Sequence, residues 1–353
     1  MMMNQRKSVG QQEWPEAATA GARLGGGRYL FKRVLGQGDY TQVWQARDVK
    51  AERDVALKVL PWGFPWERQL LERLDEEIRR SALLAHPGIA RVYELVCDYQ
   101  VAAIATEYVD GWPLAVVKGD RPGNRFGLED ITLWVHQVCA ALEYAHHGFC
   151  LVHRCLQPAN LLLNRREQLK VTDFGIDYAV SRLAAEHGKP WAVTHAYMSP
   201  QQMQGAEASV LDDIYALGAT IFDLITGTPP FNRGELREQI LHTPPPTMKQ
   251  RLRELGVDDT VTPAWEETVA ACLAKEPGKR PQSANDVIRS LESHGERQSA
   301  PASPRTRKGN RSGLAEAKSY VFGKVPKVVS KVQALLAARK SPSRDKRGYS
   351  SGG

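Results

Sequence analysis

Cysteine is scarce in this 353-residue chain. The five present, Cys97, Cys139, Cys150, Cys155 and Cys272, are odd in number and include no CxxC pair. That argues against a disulfide framework or a zinc site and for reduced, mostly buried thiols. Long hydrophobic runs are also missing: no window reaches the roughly 18 consecutive apolar residues a membrane span needs. The opening segment MMMNQRKSVGQQEWPEAATAG has no apolar signal-peptide core, so a cytoplasmic location is the expectation. No repeat of about 20 to 50 residues is visible, which excludes solenoids and propellers.

Charge is present but unevenly placed. Residues 297–353 carry 14 Lys/Arg and 2 Asp/Glu, leaving 33 basic and 38 acidic residues before them. The overall net charge of +7 therefore combines a mildly acidic body with a strongly basic tail. A hydrophobic content of 42% suffices for an ordinary core in that body.

Residues 1–27 are polar, rich in Gly and Ala, and end in Gly25, Gly26 and Gly27, which reads as a flexible leader. The segments YLFKRVLGQGDYTQVWQARD and DVALKVL read as three strands, the first two joined through a Gly-containing turn. Leu70, Leu71, Leu74, Ile78 and Ala82 then recur at helical spacing, with Pro87 beyond the end. Two more strand-like runs, ARVYELVCDY and VAAIATEYV, complete a small β-rich region. From Leu128 the pattern turns helical. Leu133, Val138, Leu142 and Ala145 form one expected stripe, ALGATIFDLITG a core helix, and VAACLAKEP and ANDVIRSLES two more, ending near Ser293. The expected fold class is α+β and bilobal, a small β-rich lobe with one helix followed by a larger helical lobe.

Taken singly, the motifs are weak: a glycine turn such as the GxG of LGQGDYTQV is more often a hairpin than a phosphate loop. Their order is specific. Strand, Gly-rich turn, strand, Lys strand, helix with Glu, then HRCLQPAN and DFG follow one another at fixed intervals. In this the chain resembles the eukaryotic-type Ser/Thr protein kinases of bacteria over residues 28–295, with lobes at 28–109 and 110–295. The resemblance implies ATP and Mg²⁺ as cofactors and protein hydroxyls as substrates. Leu35, Gly36 and Gly38 would then meet the nucleotide, the glycines letting backbone close over its phosphates, and Val43 and Ala56 would enclose adenine. Lys58 would contact phosphates and pair with Glu77, although the neighbouring Glu76 carries the same charge and a solvated Glu77 is the plain alternative. Thr106 would act as gatekeeper, with Glu107 and Val109 presenting backbone to the adenine edge. Asn160 and Asp173 would hold Mg²⁺. Asp213 of DDIYALG would brace the catalytic loop.

The chain departs from that family where the proton moves. The family's HRDLKPxN reads His153, Arg154, Cys155, Leu156, Gln157, Pro158, Ala159, Asn160 here. The Asp that accepts the substrate proton is Cys155 and the charge-balancing Lys is Gln157, which brings no positive charge. Cys155 would point its sulfur where a carboxylate should sit. Thr194, whose family counterpart bonds that Asp and Lys, would meet Cys155 and Gln157 instead. Thr41 replaces the third phosphate-loop glycine, and Gln201 replaces a Glu that would pair with Arg280, leaving a hydrogen bond as the substitute. The expectation is a pseudokinase pattern: nucleotide binding kept, phosphotransfer impaired or absent. A slow working kinase is one alternative, a binding module acting through its tail the other.

Residues 296–353 read as a mostly disordered basic tail. Within it, residues 327–340 place Val328, Val329, Val332, Leu335 and Leu336 on one helical face flanked by Lys327, Lys331, Arg339 and Lys340. That suits an anionic membrane surface or a partner groove, and equally a solvated tail. With only Tyr320, Phe322 and Tyr349 as aromatics there, nucleic acid is disfavoured.

Overall fold

The computed structural model describes residues 18–37, 41–60, 68–98, 101–186, 195–257 and 261–296. Gly38, Thr194 and the basic tail with its 327–340 segment lie outside the described residues. The N-terminal lobe is an antiparallel sheet of β1 (Arg23–Leu24), β2 (Tyr29–Gln37), β3 (Gln42–Asp48), β4 (Arg53–Val59), β5 (Val92–Asp98) and β6 (Val101–Glu107), in the order β1-β2-β3-β4-β6-β5. Alternation along the strands sorts their side chains onto two faces. One face buries Tyr29, Phe31, Trp44, Ala46, Val55 and Leu57, with Phe31 and Trp44 packed edge to face at 5.3 Å. The other carries Val43, Ala56, Lys58 and Thr106, brought together by the pairings Val43↔Lys58 and Ala56↔Thr106. Helix α1 (Arg68–Ala82) covers part of this second face through Leu70, Leu74 and Ile78. These are three of the residues whose spacing predicts a helix.

The reading of residues 18–27 as leader is corrected. Residues 18–27 belong to the lobe: Ala18 is buried, and Arg23–Leu24 pairs with Tyr29–Leu30. The three glycines are the reason, since φ values of 66°, 63° and 92° at Gly25, Gly26 and Gly27 let the chain reverse within a few residues. What reads as a flexible end is a hairpin turn.

The C-terminal lobe opens with β7 (Gly111–Pro113) and α2 (Leu114–Gly119), followed by α3 (Leu128–Phe149). Strands β8 (Leu161–Asn164) and β9 (Leu169–Val171) join β7 in a three-stranded sheet, and α4 (Ile176–Glu186) follows. The rest is helical: α5 (Pro200–Met203), α6 (Val210–Thr226), α7 (Leu236–His242), α8 (Met248–Glu254), α9 (Pro263–Cys272) and α10 (Ala284–Glu296). Helix α6 is buried on every side from Asp212 to Thr226, as its nearly all-apolar sequence requires of a central helix. Ser209 caps its start through the Leu211 amide, and Gly227 ends it with φ 85°.

The stripe read on α3 is corrected at one position. Leu133 is 60% exposed, and the buried face runs through Ile131, Trp134, Val135, Val138, Leu142 and Ala145. Leu133 lies five positions before Val138, and at 3.6 residues per turn that places it well off the face. Among the described residues, no helix is long and apolar enough to cross a membrane.

Candidate active site

The second face of the N-lobe sheet forms the roof of a cleft. Leu35, Val43, Ala56 and Val109 are half-buried around it. A Cβ added at Gly36 would meet nothing within 4 Å, so backbone approach there is open. Thr106 is buried, with its hydroxyl 3.5 Å from the Ala56 carbonyl. The Glu107 carboxylate turns aside to Lys170 at 2.8 Å and to the Arg91 amide at 3.1 Å, away from the face that carries Thr106.

Lys58 points from β4 into the cleft, but its partner is not the one the sequence suggests. Its Nζ lies 2.7 Å from Asp173 Oδ1 and 2.5 Å from Asp177 Oδ1. Glu77 instead lies 3.8 Å from Arg154 and 3.7 Å from Arg80, so the expected Lys58–Glu77 ion pair is replaced. The cause is α4. Its Ile176, Ala179, Val180 and Leu183 pack on Leu70, Leu74 and Ile78 of α1, and its first turn carries Asp177 to Lys58. Glu76 is exposed. Burial by itself would lower the Lys58 pKa, yet the two carboxylates override it and raise it. Burial pushes the Asp173 carboxyl up, and Lys58 pulls it only part of the way back.

Asp173 sits at φ 64°, a left-handed conformation that turns its carboxylate toward the cleft while Phe174 goes into the core. Phe174 is 1% exposed, its ring 4.6 Å from that of His153, and its carbonyl accepts from Ser81 Oγ at 2.7 Å. Asn160 donates through Nδ2 to the Cys155 carbonyl at 2.9 Å and to Asp177 Oδ2 at 3.1 Å. Those bonds occupy its donor end and leave the amide oxygen as its ligand end. Asp173 and Asn160 thus offer hard oxygen donors of the kind Mg²⁺ accepts, beside an ammonium suited to phosphate. This donor set fits the expected group.

The catalytic-loop backbone is held as expected. Asp213 accepts from the amides of His153 at 2.7 Å and Arg154 at 2.8 Å, and lies 2.7 Å from His146 Nε2. Burial by itself would raise the Asp213 pKa, but His146, His153 and the His153 amide outweigh it and bring it below its ordinary value. Cys155 is buried with Met198, and Met203 packs beside them. Its sulfur accepts from Gln157 Nε2 at 3.4 Å. Burial pushes the thiol pKa well above its ordinary value, Asp177 adds to that, and Lys58 opposes it. Arg280 Nη2 donates to Gln201 Oε1 at 2.6 Å, the substitute bond expected there, and also reaches the carbonyls of Ala274, Leu211 and Lys275.

Asp177 is the site residue that sequence reasoning misses. A signal existed: Ile176, Ala179, Val180 and Leu183 follow i, i+3, i+4, i+7. A helix there carries Asp177, the second carboxylate of DFGID, in its first turn, four residues after Asp173.

The protein kinase domain family matches residues 29–291. Serine/threonine-protein kinase PrkC of Bacillus subtilis is 31% identical over 266 residues, 74% of this chain and 39% of that protein. Serine/threonine-protein kinase PknA of Mycobacterium tuberculosis is 34% identical over 263 residues, 72% of this chain and 58% of that protein. The chain thus spans between about two fifths and three fifths of these relatives. The crystal structure of the Mycobacterium tuberculosis PknI kinase domain shares the fold, with a TM-score of 0.61 at 24% identity over 78% of this chain and 98% of that one. On its ordered motifs, its two-lobed fold and these similarities, the chain belongs to the protein kinase family, among the eukaryotic-type Ser/Thr kinases of bacteria.

Proposed function

We propose that this chain is a kinase-like signalling domain that binds Mg-ATP but transfers phosphate poorly or not at all. It would act by changing lobe arrangement rather than by turnover. The observation that carries this reading is Cys155: a buried, neutral thiol packed against Met198 stands where a proton acceptor is needed. With its pKa raised, it has almost no thiolate at neutral pH and accepts a proton poorly. Gln157 leaves the second requirement, a positive charge on the transferring group, unmet. Losing a positioned base costs about 10²- to 10⁴-fold and losing a charge-stabilising donor about 10²- to 10³-fold. A turnover of about 1 to 100 s⁻¹ would fall below roughly 10⁻² s⁻¹. In support of the ligand half, Lys58, Asn160 and Asp173 are all retained and converge on the cleft.

The second reading, a slow Ser/Thr kinase, is favoured by the intact bracing of the catalytic loop by Asp213 and by relatives that are themselves serine/threonine-protein kinases. Radiolabel transfer from ATP separates the two. Native protein should match the Asp173→Ala variant, and the combined Cys155→Asp and Gln157→Lys variant should exceed both. Native transfer well above the Asp173→Ala background would establish the slow or active kinase instead.

A further inference from the structure

The two oxygens of Asp177 divide their contacts. Oδ1 binds Lys58 Nζ at 2.5 Å and Oδ2 accepts from Asn160 Nδ2 at 3.1 Å, so one side chain engages two of the groups the cleft would offer a nucleotide and its cation. We propose that Asp177 is a built-in occupant of the cleft, a carboxylate held where a nucleotide's phosphate oxygens would bind, which an incoming Mg-nucleotide must displace. This rests on the nucleotide reading of the cleft given above.

Three observations hold the carboxylate in place. Asp177 lies in the first turn of an 11-residue helix, where backbone amides favour negative charge. That helix is anchored by Ile176, Val180 and Leu183, each at most 4% exposed, against α1. Lys58 is enclosed, with 9% of its side chain exposed, so the ion pair is shielded from competing water.

The arrangement also excludes its alternative. While α4 fills the space beside α1, Glu77 faces Arg154 and Arg80, at 3.8 and 3.7 Å. Those separations are long, so Glu77 is weakly committed there. Displacing Asp177 would free Lys58 of one of its two carboxylates and let α4 leave α1, giving two packings of the same segment. Apparent nucleotide affinity is then the intrinsic affinity reduced by the fraction of molecules with Asp177 withdrawn.

The test compares the full chain with Asp177→Asn, which keeps the side-chain shape and removes the charge, and with Asp177→Ala as a second variant. Circular dichroism confirms folding of each. Two measurements need no nucleotide: amide hydrogen exchange across residues 178–183, and the rate at which a water-soluble amine-reactive ester acylates Lys58, read by peptide mass. The third is the dissociation constant for a fluorescent N-methylanthraniloyl ATP with Mg²⁺. We expect both apo rates to rise several-fold and the dissociation constant to fall about tenfold. Unchanged apo rates overturn the proposal. Faster apo rates with unchanged or weaker nucleotide binding overturn the competition while leaving nucleotide binding intact. Absence of binding in native protein and both variants overturns the nucleotide reading itself and the competition with it.

Discussion

Asp48 shows how a single carboxylate fastens the N-lobe. It is fully buried, takes Arg28 at 3.0 and 2.8 Å, and accepts from the Lys50 and Ala51 amides. Arg28, the residue before β2, reaches on to Glu94 at 2.7 Å, tying the end of β3 to β5. The Arg28 hydrogen bonds hold the Asp48 pKa at about 2 against the opposing effect of burial. A folded pKa below the unfolded one means the contribution is complete above pH about 4 and drains away as the pH falls toward 2. Asp48→Asn should therefore cost about 2 kcal/mol at neutral pH, with the gap from native protein closing in acid. Denaturant unfolding of both proteins from neutral to acidic pH checks the size and the direction. At Cys155 the sequence shows a thiol where the family pattern carries Asp, but not what surrounds that thiol. Its packing on Met198 depends on a segment 43 positions away in the chain.

Helix α3 gives the test at the scale of an element. Trp134 is 6% exposed and packs edge to face on Phe126 at 5.1 Å, whereas Leu133 faces solvent. Trp134→Ala should cost about 3 to 5 kcal/mol, and Leu133→Ala should stay within about 0.5 kcal/mol. Urea denaturation of the two variants decides the phase of the helix, and the reverse ranking would restore the stripe read from sequence. Helix α1 was legible because Leu70, Leu74 and Ile78 sit on one face in a segment bounded by Pro87. Helix α4 was less so: its apolar spacing is present, but a helix directly after DFG makes sense only with α1 there to receive it. The Gly25–Gly27 turn was misread for a related reason, because its meaning depends on β1 finding β2.

For the whole molecule, the two lobes place Lys58 from β4 and Asp173 from the segment before α4 within 2.7 Å of each other. A ligand held by both would stabilise the fold as a unit. At 100 times its dissociation constant, Mg-ATP should stabilise by about 2.7 kcal/mol, a rise in Tm of roughly 5 to 10 °C. Lys58→Ala should remove most of that rise in a thermal-shift titration, and no shift at millimolar nucleotide would count against the cleft's ligand reading. The sequence by itself determined the two-lobed fold, the five main strands of the N-lobe and helices α1, α3, α6, α9 and α10, and, of the residues that converge on the cleft, Lys58, Asn160 and Asp173. These follow from local periodicity and from motifs read in order. Only the tertiary structure decided that Lys58 pairs with Asp173 and Asp177 rather than Glu77, and that Cys155 is an enclosed neutral thiol. Charge pairing and desolvation depend on which segment fills the space beside α1, and that is a matter of packing between elements distant in the chain.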